Sequence, residues 1–116
     1  MRALHAPGTV SDGSTALWSL NMLKFIHLTD LHLTASGELA SGYNTYENTD
    51  RALTHALSLF PDAEFVVITG DIANWGELEA YRHLERRLKS LSLPVFLMIG
   101  NHDNRDNFFE VFGNRH

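Results

Sequence analysis

The chain contains no cysteine, so it can form neither a disulfide nor a thiolate metal site. Any metal it holds must be met by oxygen and imidazole ligands. It also lacks a basic run. Nine Lys and Arg stand against fourteen Asp and Glu, a formal charge of −5, which weighs against a surface that tracks nucleic acid. No apolar stretch is longer than a strand, so nothing in the sequence predicts a membrane span, and a cytoplasmic location is the expectation. Proline is scarce, and Pro61 and Pro94 both fall at the borders of periodic segments. The 116 residues, 44% of them hydrophobic, suffice for at most one domain with a modest core.

Residues 1–21 mix Gly, Ser, Thr, Pro and Asp without periodicity, and the patch Ala16-Leu17-Trp18-Ser19-Leu20 is too short and interrupted for a secretory signal. They read as a disordered extension. Met22, directly before the first strand, is an alternative start. Leu23–Thr29 reads as a buried strand, 33–45 as a loop, and Tyr46 to Phe60 as a helix that Pro61 stops. Phe65–Thr69 is a β-branched strand of the kind found in parallel sheets. Glu77 to Leu91 forms an amphipathic helix with Leu78, Tyr81, Leu84, Leu88 and Leu91 on one face and a Glu85/Lys89 pair on the other. Pro94 opens a third strand, Val95–Ile99, and Asp106 to Phe112 makes a short apolar helix. The order β-α-β-α-β-α predicts an α/β fold with a parallel sheet.

Each strand is followed by metal-seeking side chains: Thr29-Asp30-Leu31-His32, Gly70-Asp71-Ile72-Ala73-Asn74 and Gly100-Asn101-His102-Asp103. In a parallel sheet the loops at the carboxyl ends of the strands share one edge, where ligands bind. Asp30 and Asp71, gathered in a partly dry cleft, would repel unless a cation lay between them. Asp30 and His32, two apart on extended backbone, can point the same way, whereas His27 has the opposite parity and is expected to face the covering helix as an ordinary strand histidine. Gly70 lets the backbone approach a ligand closely at the strand's end. Asn74 is equally readable as a turn residue. Asn101 can ligate through its amide oxygen. His102 can pass a proton to a leaving oxygen, with Asp103 holding its other ring nitrogen. The competing reading of this last segment is a loop that caps the third helix.

These three segments in series resemble the motifs of the calcineurin-like metallophosphoesterases, and within that superfamily the chain is most similar to bacterial cyclic-nucleotide and glycerophosphodiester phosphodiesterases. Asp30-x-His32 matches the first motif. Gly70-Asp71-x-x-Asn74 matches the second, where the family often has Asp at the Asn74 position. Gly100-Asn101-His102-Asp103 matches the third, and Gly76, Glu77 and Tyr81 resemble the stretch that follows the second. The likeness covers about Leu23 to Phe112 and implies the amino-terminal half of a four-layer α/β/β/α sandwich.

It further implies that Asp30 and His32 bind a first metal, Asp71 bridges two, and Asn101 binds the second. His102 would assist the leaving group, with Asp103 as its partner. The two ions would come from Fe, Mn and Zn, about 3.5–4 Å apart. The substrate would be a small phosphodiester. Three further family histidines find no match here. His5, His55, His83 and His116 are poor substitutes, so residues 22–116 read as a partial domain with weak activity of its own and one sheet face bare. A non-catalytic scaffold of the same fold and a metal-dependent nuclease are the alternatives. Homo-oligomerisation of a longer protein stays open.

Overall fold

The computed structural model describes residues 22–35 and 37–113. The expected extension, His5 and His116 therefore lie outside the described residues. Three parallel strands, β1 (Phe25–Thr29), β2 (Phe65–Thr69) and β3 (Val95–Met98), alternate with helices α1 (Thr45–Leu59), α2 (Leu78–Leu88) and α3 (Arg105–Phe112). The sheet order is β1-β2-β3, with Phe25 opposite Phe65 and Val66 opposite Val95. The expected β-α-β-α-β-α order is thus the observed one.

Strands added in one direction by crossovers of one hand leave their helices on one face of the sheet. The buried cluster records this. Ile26, Val66, Ile68 and Leu97 meet Leu53 of α1, Tyr81 and Leu84 of α2, and Phe108 and Phe112 of α3. Leu84 is 1% exposed, and Leu84→Ala is expected to cost about 2–5 kcal/mol in urea unfolding, through lost burial and the cavity left behind. A cost under about 1 kcal/mol would mean that α2 is not packed as described.

The opposite face presents Phe25 stacked on Phe65, with Phe96 edge-on to Phe65. Phe96 and Met98 are 50% and 62% exposed, so this face is partly bare, as expected. His27 also lies here, which corrects its expected position. By parity Ile26 and Leu28 turn to the helices, and His27 faces the other way, where its Nε2 pairs with Thr69 Oγ1 at 2.8 Å. It remains an ordinary hydrogen-bonded strand histidine.

Element ends differ from the periodicity by a residue or a few, for local reasons. Asn44 caps α1 by accepting from the Glu47 amide at 3.1 Å, so the helix begins at Thr45. α2 stops at Leu88 because the chain tightens into a turn, with the Leu91 amide bonded to the Leu88 carbonyl at 3.0 Å. The Glu85/Lys89 pair forms at 3.8 Å. Arg87, on the side of α2 that meets α1, bonds Asp50 and, at 3.1 Å, Thr54. Among the described residues no helix is long and apolar enough to cross a membrane.

Candidate metal centre

Beyond β1 and β2 the chain does not separate into free loops. The His32 and Leu33 amides bond the Asp71 and Ile72 carbonyls at 2.9 and 2.8 Å, and the Asn74 amide returns to the Leu33 carbonyl at 2.8 Å. The first two motifs are zipped together along one edge of the sheet. The third is pressed against them, as Gly100 demonstrates. A Cβ there would lie 2.6 Å from Asp71 Oδ1 and 2.9 Å from Gly70 Cα, so only glycine fits. The close contact between the two loops is therefore that of Gly100 with Asp71 and Gly70. A Cβ on Gly70 would meet open space, so there glycine serves the left-handed backbone, with φ +65°.

Asp30, His32 and Asp71 each offer a ligand atom, and these atoms all lie within 4.8 Å of one another. His32 Nε2 stands 4.0 Å from Asp30 Oδ1 and 3.9 Å from Asp71 Oδ2. These distances exceed a hydrogen bond, yet two donors each about 2.0–2.2 Å from one ion can lie that far apart. The backbone route differs from the one expected. Asp30, His32 and Asp71 take left-handed conformations, with φ of 55°, 49° and 42°. The side chains meet because the turn curls them inward, not because an extended chain alternates. Non-glycine residues in this region cost on the order of 1–3 kcal/mol each and cluster at ligand sites.

The tautomers follow from the acceptors. His32 Nδ1 meets Asn74 Oδ1 at 3.0 Å; an amide oxygen only accepts, so Nδ1 carries the proton and the Nε2 lone pair faces the two carboxylates. His102 Nδ1 meets the Asn74 carbonyl at 3.1 Å, and its Nε2 has no hydrogen-bond partner among the described residues. Asn74 therefore holds both imidazoles, which stand edge to face with centroids 5.1 Å apart. Its side chain does more than make a turn. The signal for it was its place in Gly70-Asp71-x-x-Asn74.

Asp71 Oδ1 accepts the His102 amide at 2.9 Å while Oδ2 points toward His32, so this second-motif carboxylate faces both the first and the third motif. Asn101 is exposed on the third-motif loop, and its side chain makes no hydrogen bond among the described residues. His55 and His83 sit on α1 and α2, the helices expected for them, and the metal-holding group found among the described residues does not include them.

Asp103 departs from its expected role. Its Oδ2 accepts the amides of Ile72 and Gly100 at 3.0 and 2.8 Å, and its Oδ1 accepts the Ala73 amide and the Tyr81 hydroxyl, both at 2.8 Å. Those four donors fill the carboxylate's accepting directions, and the His102 ring turns to a backbone carbonyl instead. The hydroxyl of Tyr81 is the group given no role from the sequence, where Tyr81 stands as a core side chain by its spacing and as part of the stretch resembling the one after the second motif. Burial, and next the bond to Asp103, push its phenol well above the ordinary value.

The chain matches the family model described as calcineurin-like phosphoesterase over residues 23–116. It is 41% identical over 90 residues to a protein of Rhodopseudomonas palustris named as a probable cyclic nucleotide phosphodiesterase, covering 78% of this chain and 33% of that protein. It is 30% identical over 88 residues to a probable glycerophosphodiester phosphodiesterase of Arcobacter nitrofigilis, covering 75% and 32%. A 3',5'-cyclic-nucleotide phosphodiesterase of a Nostoc species is 30% identical over 82 residues, covering 70% and 31%. The chain thus spans about a third of the length of these relatives. With three motifs converging at one sheet edge and a family match from Leu23 onward, this chain belongs to the calcineurin-like phosphoesterases.

Proposed function

We propose that the chain carries metal-ligand and proton-transfer groups of a phosphodiester hydrolase acting on a small substrate, such as a 3',5'-cyclic nucleotide or a glycerophosphodiester. The observation that carries this reading is the gathering of Asp30, His32 and Asp71 within 4.8 Å, beside His102, whose Nε2 has no hydrogen-bond partner among the described residues. Relatives named for both kinds of phosphodiester support the substrate class.

The donor set suits a borderline or hard divalent cation: two carboxylates and one imidazole whose lone pair is already turned inward. Asp30 and His32 would hold a first ion, Asp71 would bridge it to a second, and Asn101 would serve the second. Bound there, the ions supply charge neutralisation at the phosphoryl oxygens and acidify water. The protein's own part is positional. Asn74 fixes the His32 tautomer, the His102 amide holds Asp71, and the Asn74 carbonyl takes the His102 Nδ1–H, so that His102 Nε2 would hand a proton to the leaving oxygen from the doubly protonated ring. On this reading residues 22–116 contribute the amino-terminal part of a hydrolase domain.

The test uses bis-p-nitrophenyl phosphate on chelated protein reloaded with Mn2+, with 3',5'-cyclic AMP and glycerophosphocholine in parallel. Slow, strictly metal-dependent hydrolysis is expected from these 116 residues. Turnover that survives chelation, or none above Mn2+ alone at any loading, overturns the hydrolase reading. A fast rate, typical of a complete enzyme, overturns the view that further ligands are needed.

A further inference from the structure

Tyr81, the buried phenol that spacing alone marks as core, connects the hydrophobic cluster to the metal-seeking turn. Its side chain is 0% exposed, and its ring packs edge to face against Phe108 and Phe112 with centroids 5.7 and 6.4 Å away. Its hydroxyl accepts the Asn104 amide at 3.0 Å and donates to Asp103 Oδ1 at 2.8 Å. Asp103 in turn takes the amides of Ile72 and Ala73, the two residues that follow the left-handed Asp71, and the amide of Gly100, the residue pressed on Asp71. A left-handed non-glycine turn persists only where its surroundings over-determine it. Here one carboxylate holds the turn from behind and the third-motif loop from the side.

We infer that Asp103, backed by the Tyr81 hydroxyl, is the positioning unit of this site: it locks the strained turn at Asp71 and so sets how tightly Asp30, His32 and Asp71 hold a divalent cation. The inference rests on the metal-binding reading above. It gives Asp103 a task other than partnering His102. It also explains why a helix core residue carries a hydroxyl where phenylalanine would pack as well.

The two partners separate by substitution. Asp103→Asn puts an NH2 against donors whichever way the amide is turned, so at least one of the four bonds becomes a donor–donor clash. Tyr81→Phe keeps the ring among Phe108 and Phe112 and removes only the hydroxyl link. With folding confirmed by circular dichroism, Mn2+ affinity is expected to fall about 10–100-fold in Asp103→Asn, the range found when an outer-shell partner of a metal ligand is lost. Tyr81→Phe should show a smaller fall of the same sign. The visible absorption of bound Co2+, which reports ligand geometry, should change in both.

Folded variants that bind Mn2+ with unchanged affinity and give an unchanged Co2+ spectrum overturn the inference, even where their melting temperatures drop. If the unaltered chain takes up neither ion, the metal reading itself fails. Amide exchange in the metal-free chain then decides the clamp: Asp103→Asn must lose protection at Ile72, Ala73 and Gly100, and retained protection overturns it.

Discussion

Replacing Asp71 with alanine is expected to weaken Mn2+ uptake by at least about 100-fold, beyond the 10–100-fold that loss of an outer-shell partner costs. The Asp71 carboxylate faces both neighbouring loops, with Oδ2 3.9 Å from His32 Nε2 and Oδ1 accepting the His102 amide. Its removal takes away a ligand and one of the bonds that tie the third motif to the second. Folding should change little, because the lost hydrogen bond is exposed and worth about 0.5–1.5 kcal/mol, and one of two facing acids disappears with it. Titration calorimetry with Mn2+, alongside urea unfolding of the metal-free chain, separates the two effects. An alanine variant that takes up metal as the unaltered chain does would remove Asp71 from the ligand set.

Substituting alanine for Gly100 should damage both stability and metal uptake. The added methyl would overlap the Asp71 backbone nitrogen most closely, then Asp71 Oδ1 at 2.6 Å and Gly70 Cα at 2.9 Å, and backbone gives way less readily than a flexible side chain tip. Overpacking of this kind costs about 1–3 kcal/mol, and the movement that relieves it drives Asp71 away from His32. Gly70→Ala is the informative comparison. Its Cβ would meet open space, so only the strain of φ +65° is felt, about 1–2 kcal/mol. Urea midpoints should fall in both variants, with Mn2+ affinity falling further for Gly100→Ala. Equal metal affinity in Gly100→Ala and the unaltered chain would mean that the third-motif loop does not press on Asp71 as described.

The helices and strands were legible because their signals are local. The β-branched run Phe65–Thr69 and the leucine spacing from Leu78 to Leu88 each name an element without reference to the rest of the chain. Their ends shifted where a cap or a turn made a specific bond, as Asn44 does for α1. The face of His27 was misjudged because parity tells which residues share a side but not which side the helices take. That choice depends on Ile26 and Leu28 joining the common core.

The residues at the candidate centre divide along the same line. Their chemical types and their places at strand ends stand in the sequence, and the edge shared by parallel strands brings Asp30, His32 and Asp71 together as expected. The partners of Asp103 and Asn74 were beyond its reach. A carboxylate next to a histidine in the chain looks like that histidine's support. Here the four donors that reach Asp103 come from Ile72, Ala73, Tyr81 and Gly100, three of them more than twenty residues away.

Local periodicity and side-chain chemistry alone therefore determined which segments would be strands and helices and which side chains could meet a cation. Tertiary structure decided which side chain orients which. Hydrogen-bond pairing across loops depends on curled backbone and close glycine contacts that exist only once the three strands lie side by side.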